Sequence, residues 1–202
     1  MLQTNELKLE TRRLYLRQPE AADAHGVQTL IANWEIAKWL SRLPWPYPEG
    51  AAAEWIERMQ RETAMARGYA FGIFVKNRPF DGIVGVVGLH LREEDGDWEL
   101  GYWLGEPYWG HGYMSEAAPA VVAYAFEDLG IDLLTAGHFV GNEGSARVLL
   151  RCGFEYSGEG RRWCEARGHE VDCPEVELSR AKWEAYTKGP CAPKSLAKAA
   201  AG

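Results

Sequence analysis

Between Trp98 and Ala117 the chain changes its period. Trp98-Glu99-Leu100-Gly101-Tyr102-Trp103-Leu104 alternates like a strand, Pro107 interrupts the run, and from Gly112 onward Val121, Val122, Ala125 and Phe126 recur at helical spacing. A strand must therefore feed a helix through a turn that carries Gly110 and Gly112. Glycines let a backbone approach a ligand closely, and the unpaired amides of a helix's first turn carry about half a positive charge, so such a turn suits phosphate, and pyrophosphate best. Dinucleotide-binding folds also place Gly-x-Gly before a helix, and Asp132 stands where an acid holding a ribose would be. Against that reading, Ser115 replaces the third glycine, and the turn follows hairpin-like strands rather than lying inside a βαβ unit.

Upstream, Leu7, Leu9, Leu14 and Leu16 alternate with polar residues, which predicts one strand or a bent strand pair ending at Arg17. Pro19, followed by Glu20 and Asp23, opens a helix whose apolar face is Ala24, Val27, Leu30 and Ile31. A short segment from Trp34 to Leu40 follows, then Leu43-Pro44-Trp45-Pro46-Tyr47-Pro48, held extended by its prolines. Glu49 to Arg67 reads as a helix burying Trp55, Ile56 and Met59, with Met65 as a further candidate for that face. Residues 69–76, 83–91 and 98–104 read as an antiparallel meander, joined by turn-like stretches at 77–82 and 93–97. After a helix over 112–129 come a strand over 133–140, a short helix over 145–152, and a closing hairpin around Arg167 and Gly168. This order predicts one mixed α/β domain over residues 1–188, a sheet with helices on its faces, and a loose tail over 189–202.

A chain of 202 residues buries about 70% of the surface its unfolded form exposes and needs no staples. Acidic residues outnumber basic ones, 29 to 22, for a net charge of −7, which argues against a nucleic-acid partner. An anionic ligand must then be held by local geometry. No stretch approaches eighteen apolar residues and the first residues lack the pattern of a signal peptide, so a cytoplasmic protein without membrane contact is expected. Cys152, Cys164, Cys173 and Cys191 form no CxxC pair and read as free thiols. Cys164, His169 and Cys173 could meet on a hairpin, but three ligands fall short of a closed zinc site, and no metal is expected.

Five blocks, taken in order, carry a resemblance that covers about residues 7–185. They are Leu9-Glu10-Thr11-Arg12-Arg13-Leu14-Tyr15-Leu16-Arg17, Leu43-Pro44-Trp45-Pro46-Tyr47, Glu99 to Leu104, Tyr108 to Ala117, and Asn142-Glu143-Gly144-Ser145 leading to Cys152-Gly153-Phe154. The chain resembles the GNAT superfamily of N-acetyltransferases, and within it the RimJ/RimL-like branch that acetylates ribosomal-protein N-termini. That resemblance implies a GNAT fold, a mostly antiparallel sheet of about seven strands splayed between the fourth and fifth. It also implies acetyl-CoA as cosubstrate, a primary amine as acceptor and a homodimer as one possible assembly. The acceptor stays open between a protein N-terminus and a small amine such as an antibiotic, polyamine or amino acid. A non-catalytic acyl-CoA-binding sensor is the reading of another class.

On the same resemblance, backbone groups of Tyr102, Trp103 and Leu104 bind the pantetheine amides. The turn of Trp109, Gly110, His111, Gly112, Tyr113, Met114 and Ser115 holds the pyrophosphate. Trp109 and Met114 depart from the family turn, which usually begins with Gln or Arg and has Gly or Ala at the later position; recognition by backbone amides tolerates such changes. Glu99, flanked by aromatics that should raise its pKa, is the candidate base, with Asp172 or a water relay as alternatives. Ser145 is the candidate proton donor to the departing sulfur, since the tyrosine used in other branches falls at Leu149. Asn142 caps a helix and touches pantetheine, and Arg147, with Arg151, faces the nucleotide phosphates. Trp39, Trp45, Tyr47 and Trp163 are candidate lining for the acceptor cleft, against the plainer reading of core packing.

Overall fold

The computed structural model describes residues 7–78, 81–92 and 96–189. The expected tail beyond Gly189, with Cys191, and turn residues 79–80 and 93–95 lie outside the described residues. The first strand is broken in two, because Thr11, Arg12 and Arg13 form a tight turn closed by the Thr11 amide on the Leu14 carbonyl, 3.0 Å. This yields β1 (Lys8–Glu10) and β2 (Leu14–Arg17). The predicted helix after Pro19 begins as a 3-10 turn over Ala21–Asp23 and continues as α1 (Ala24–Ile31); α2 (Trp34–Ala37) and α3 (Ala51–Ala64) follow. The meander is present as β3 (Gly68–Val75), β4 (Ile83–Leu91) and β5 (Trp98–Leu104), and leads to α4 (Met114–Glu127), β6 (Leu133–Gly137) and α5 (Glu143–Arg151).

Eight strands form one sheet in the order β1, β2, β3, β4, β5, β6, β10 and β7, where β7 is Glu155–Gly158 and β10 is Glu175–Ser179. Every neighbouring pair is antiparallel except β5 with β6, so the sheet is mixed. The seven-strand expectation becomes eight through the broken first strand. The hairpin at Arg167 and Gly168 is made by β8 (Arg161–Cys164) and β9 (His169–Asp172), which stand apart as a two-stranded sheet.

Side-chain alternation along the strands separates two cores. On one face, α1, α2 and α3 bury Val27, Ile31, Ile36 and Ala52 against Ala70, Ile83 and Val86. On the other, α4 lies against the sheet through Ala117, Ala118, Val121, Val122, Ala125 and Phe126, whose mostly small side chains let the helix come close. That close approach holds the start of α4 beside the end of β5. No helix among the described residues is long and apolar enough to cross a membrane.

A last helix, α6 (Arg180–Lys188), was not foreseen from the sequence. Its signal was Ser179 as N-cap, whose hydroxyl accepts the Lys182 amide. Trp183 stacks on Phe126, with centroids 5.1 Å apart, and Arg180 donates to the carbonyls of Phe126 and Ile131. Trp183 is buried in the main core. Trp183→Ala should therefore cost about 3–5 kcal/mol in urea unfolding; a loss below about 1 kcal/mol would show that α6 is not part of the cooperative core.

Candidate active site

The sheet opens between β5 and β6. β5 pairs with β4 along all seven residues from Trp98 to Leu104, but with β6 only at Trp98 with Leu134 and Glu99 with Thr135. Beyond Glu99, among the described residues, the edge of β5 that faced β6 has no strand beside it. The Gly105 amide bonds the Val84 carbonyl at 2.9 Å, which sets the alternation of the β4–β5 ladder. Trp103 and Gly101 therefore spend their backbone groups on β4, while Leu100, Tyr102 and Leu104 turn theirs to the open edge. This corrects the expectation for Trp103, whose side chain packs in the core under α1–α3. The Leu104 carbonyl is taken by the Trp109 indole at 2.7 Å. Tyr102 keeps both its backbone groups on the open edge, where an extended amide chain can add as a further strand.

At the end of β5 a 3-10 turn over Glu106–Tyr108 leads into the glycine turn. Gly110 and Gly112 have φ of 76° and 73°, a backbone that L side chains rarely adopt, so glycine is required at both. α4 starts without a side-chain cap. Among the described residues, no carbonyl or side chain accepts the amides of residues 110–115. The turn thus offers a run of unpaired N–H groups at a helix start, and the residues present fit a pyrophosphate. The exposed ring of His111 lies back on the turn, with Nδ1 2.8 Å from the Trp109 carbonyl and its face stacked on Tyr113.

On the α4 side of the sheet, the Tyr102 hydroxyl lies 2.9 Å from Ser145 Oγ and donates to the Ser145 carbonyl at 3.1 Å. Burial pushes the Tyr102 hydroxyl above its ordinary value against the pull of the Ser145 hydrogen bond, so it stays a neutral donor. The Asn142 side chain accepts the Ser145 amide at 3.1 Å and caps α5. Leu149 is core, and the tyrosine hydroxyl that lies beside Ser145 comes from Tyr102 on β5. Arg147 is solvent-exposed, 3.5 Å from Glu143 one helical turn earlier.

The opposite face carries the charges. Glu99 lies directly across the ladder from His90, with His90 Nε2 3.4 Å from its carboxylate, and it is ion-paired with Arg162 from β8. Arg162 also lies 3.3 Å from Glu175. It passes over Gly137 at the end of β6, where a Cβ would sit 3.3 Å from the guanidinium and 2.8 Å from Cys173 Sγ. Burial raises the Glu99 carboxyl, but the His90 hydrogen bond and the Arg162 charge outweigh it and hold the group down to about 2. The expected upward shift is therefore reversed: the aromatics flanking Glu99 in sequence are not what it faces in space. Gly88 and Gly101 are paired between this charged row and Trp103, and the His90 ring lies 3.7 Å from where a Cβ on Gly101 would sit.

The remaining candidates scatter. Asp172 is exposed on the hairpin, 3.3 Å from Arg161. Trp39 packs in a small core with Phe139, Cys164 and Cys173 and lies under Arg167; Tyr47 packs in the α1–α3 core; Trp45 pairs edge-on with Trp34; and Trp163 is exposed. The Cys164 thiol faces the carbonyls of Lys38 and Leu40, and His169 Nδ1 the carbonyl of Arg167. Among the described residues, no three metal-binding side chains converge. His90 was missed in sequence because its partner lies across a ladder, although the β4–β5 register would have paired it with Glu99.

The family model described as an acetyltransferase (GNAT) domain matches residues 13–155. The uncharacterized N-acetyltransferase YoaA of Bacillus subtilis strain 168 is 32% identical over 168 residues, covering 81% of this chain and 92% of that protein. A ribosomal-protein-S5-alanine acetyltransferase from Vibrio fischeri superposes with a TM-score of 0.75 at 21% identity, covering 88% of this chain and 99% of that one. RimL, a ribosomal L7/L12 α-N-protein acetyltransferase solved with coenzyme A, superposes with a TM-score of 0.71 at 18% identity, covering 84% and 98%. A sheet parted beside a glycine turn and a helix start, with the family match spanning both, makes this chain a member of the GNAT acetyltransferases, which use acetyl-CoA to acetylate an amine.

Proposed function

We propose that this enzyme acetylates the N-terminal amine of a protein by direct attack of that amine on the thioester. The observation that carries the reading is the division of labour across the parted sheet: charged groups for the amine on one face, hydroxyl donors for the sulfur on the other. Tyr102 receives the pantetheine along its open backbone edge, and residues 109–115 hold the pyrophosphate. Asn142 borders the pantetheine, and Arg147 keeps donors free for the nucleotide phosphates.

The amine approaches from the face of Glu99 and His90. Glu99, held ionised by Arg162, draws the ammonium and orients the imidazole. A carboxylate that ionises at about 2 is a poor base for an ammonium, whereas imidazole is the side chain suited to exchange protons near neutrality. His90 therefore takes the proton. The nitrogen then bonds to the acetyl carbon and the carbon–sulfur bond breaks; the thiolate takes a proton from Ser145, relayed from Tyr102, and the second proton that the nitrogen sheds in becoming an amide returns through solvent to Tyr102. A macromolecular acceptor is supported by the solved neighbours named for ribosomal-protein substrates and by exposed Trp163 on the hairpin next to Arg162, a surface for the chain that follows the amine.

CoA release measured on a panel of amines tests the acceptor. Peptides with a free N-terminus should be acetylated and N-blocked peptides with an internal lysine should not; turnover confined to polyamines, aminoglycosides or free amino acids would overturn the reading, and binding without any turnover would leave only a sensor. With the best amine, Glu99→Gln and His90→Gln should each lower kcat/KM by about 10²- to 10⁴-fold. Tyr102→Phe and Ser145→Ala should each lower kcat, and the double variant should lose less than the product, because the two groups act as one donor.

The depressed carboxyl of Glu99 also sets a pH dependence. A group whose folded pKa lies below its ordinary 4.5 adds stability that is complete above that value and is lost as pH falls toward about 2. Glu99→Gln should accordingly flatten the loss of thermal stability between pH 4.5 and 2 relative to the unaltered protein; identical slopes would show that the ion pair does not form.

A further inference from the structure

The turn between β1 and β2 reaches across the molecule to the glycine turn before α4. Glu116, on the first turn of α4, is buried and accepts three hydrogen bonds: from the Thr11 hydroxyl at 2.5 Å, the Arg13 amide at 2.7 Å and Arg13 Nε at 2.6 Å. The same guanidinium donates through its two outer nitrogens to the carbonyls of His111, at 2.9 Å, and Gly112, at 3.1 Å. It also lies over the Tyr113 ring, 5.0 Å from the centroid. Two turns about a hundred residues apart in sequence are thus joined by one arginine.

In a trans peptide the carbonyl and the following N–H point in opposite directions. Pinning the His111 and Gly112 carbonyls toward Arg13 therefore aims the Gly112 and Tyr113 amides away from it, out of the turn. Glycine at 110 and 112 makes the turn possible but leaves it free to adopt other conformations, so something must select one. Glu116 would by itself place a negative charge beside an incoming anion. Arg13 cancels that charge while its planar fork serves the carboxylate and both carbonyls at once, a geometry lysine cannot reproduce.

We infer that Arg13, locked by Glu116 and Thr11, is a positioning residue that preorganises the glycine turn to bind the CoA pyrophosphate. The inference rests on the reading of residues 109–115 as the pyrophosphate site and adds the element that sets the direction of its amides.

The test uses CoA and pantetheine, which lacks the pyrophosphate, in titrations of 15N-labelled protein followed by NMR. In the unaltered protein the Gly112 and Tyr113 amides should shift with CoA and not with pantetheine. Arg13→Ala should weaken CoA about tenfold or more and leave pantetheine within about twofold. Arg13→Lys, which keeps the charge and the fold, should still lose at least about threefold on CoA alone. Equal losses on both ligands would reduce Arg13 to general structural support, and no loss on CoA would refute the positioning role; either outcome overturns the inference. If the unaltered protein binds CoA no more tightly than pantetheine, the pyrophosphate assignment itself fails, and the inference with it.

Discussion

The layout of the candidate site depends on β6 leaving β5 after two residue pairs. An unpaired backbone edge inside a sheet is normally a defect, since each exposed N–H and C=O seeks a partner. Here the neighbouring structure keeps the gap open. Pairing with β10 holds β6 along its whole length from the far side. Tyr102 ties the start of α5 to the near side. The edge is left open to an amide-bearing ligand, which could add to the sheet as a missing strand would.

The same strand carries two different sets of side chains on its two faces. Because side chains alternate along a strand, Glu99 and Tyr102 lie on opposite faces of β5 although only two residues stand between them. One face gathers carboxylate, imidazole and guanidinium; the other gathers two hydroxyls. An acyl transfer needs a proton removed from the nucleophile and another supplied to the leaving group, and a single strand between two faces keeps those groups apart without any further element.

The fold was largely legible from the residues. The period-2 runs, the helical faces and the glycine turn are local signals, and strands and helices formed close to where those signals fell. What escaped was set by distant partners. A bent strand pair was one of two readings of residues 7–17, and what selects it is a turn whose Thr11 and Arg13 bond Glu116 of α4. α6 is short, and its packing rests on Phe126, more than fifty residues earlier. The glycines and the Ser145 position were visible as sequence, whereas the electrostatics of Glu99 were not, since Arg162 reaches it from another sheet.

By itself, the sequence determined the order of elements up to the closing hairpin, a sheet with helices on its faces and the turn that precedes α4, because periodicity, glycine conformation and helix starts are properties of neighbouring residues. Only the tertiary structure decided that Glu99 is held ionised rather than protonated, that Trp103 gives its backbone to β4 while Tyr102 does not, and that Tyr102 supplies the hydroxyl beside Ser145. Those outcomes depend on charge, hydrogen-bond direction and register, which act between atoms that the fold brings together from far along the chain.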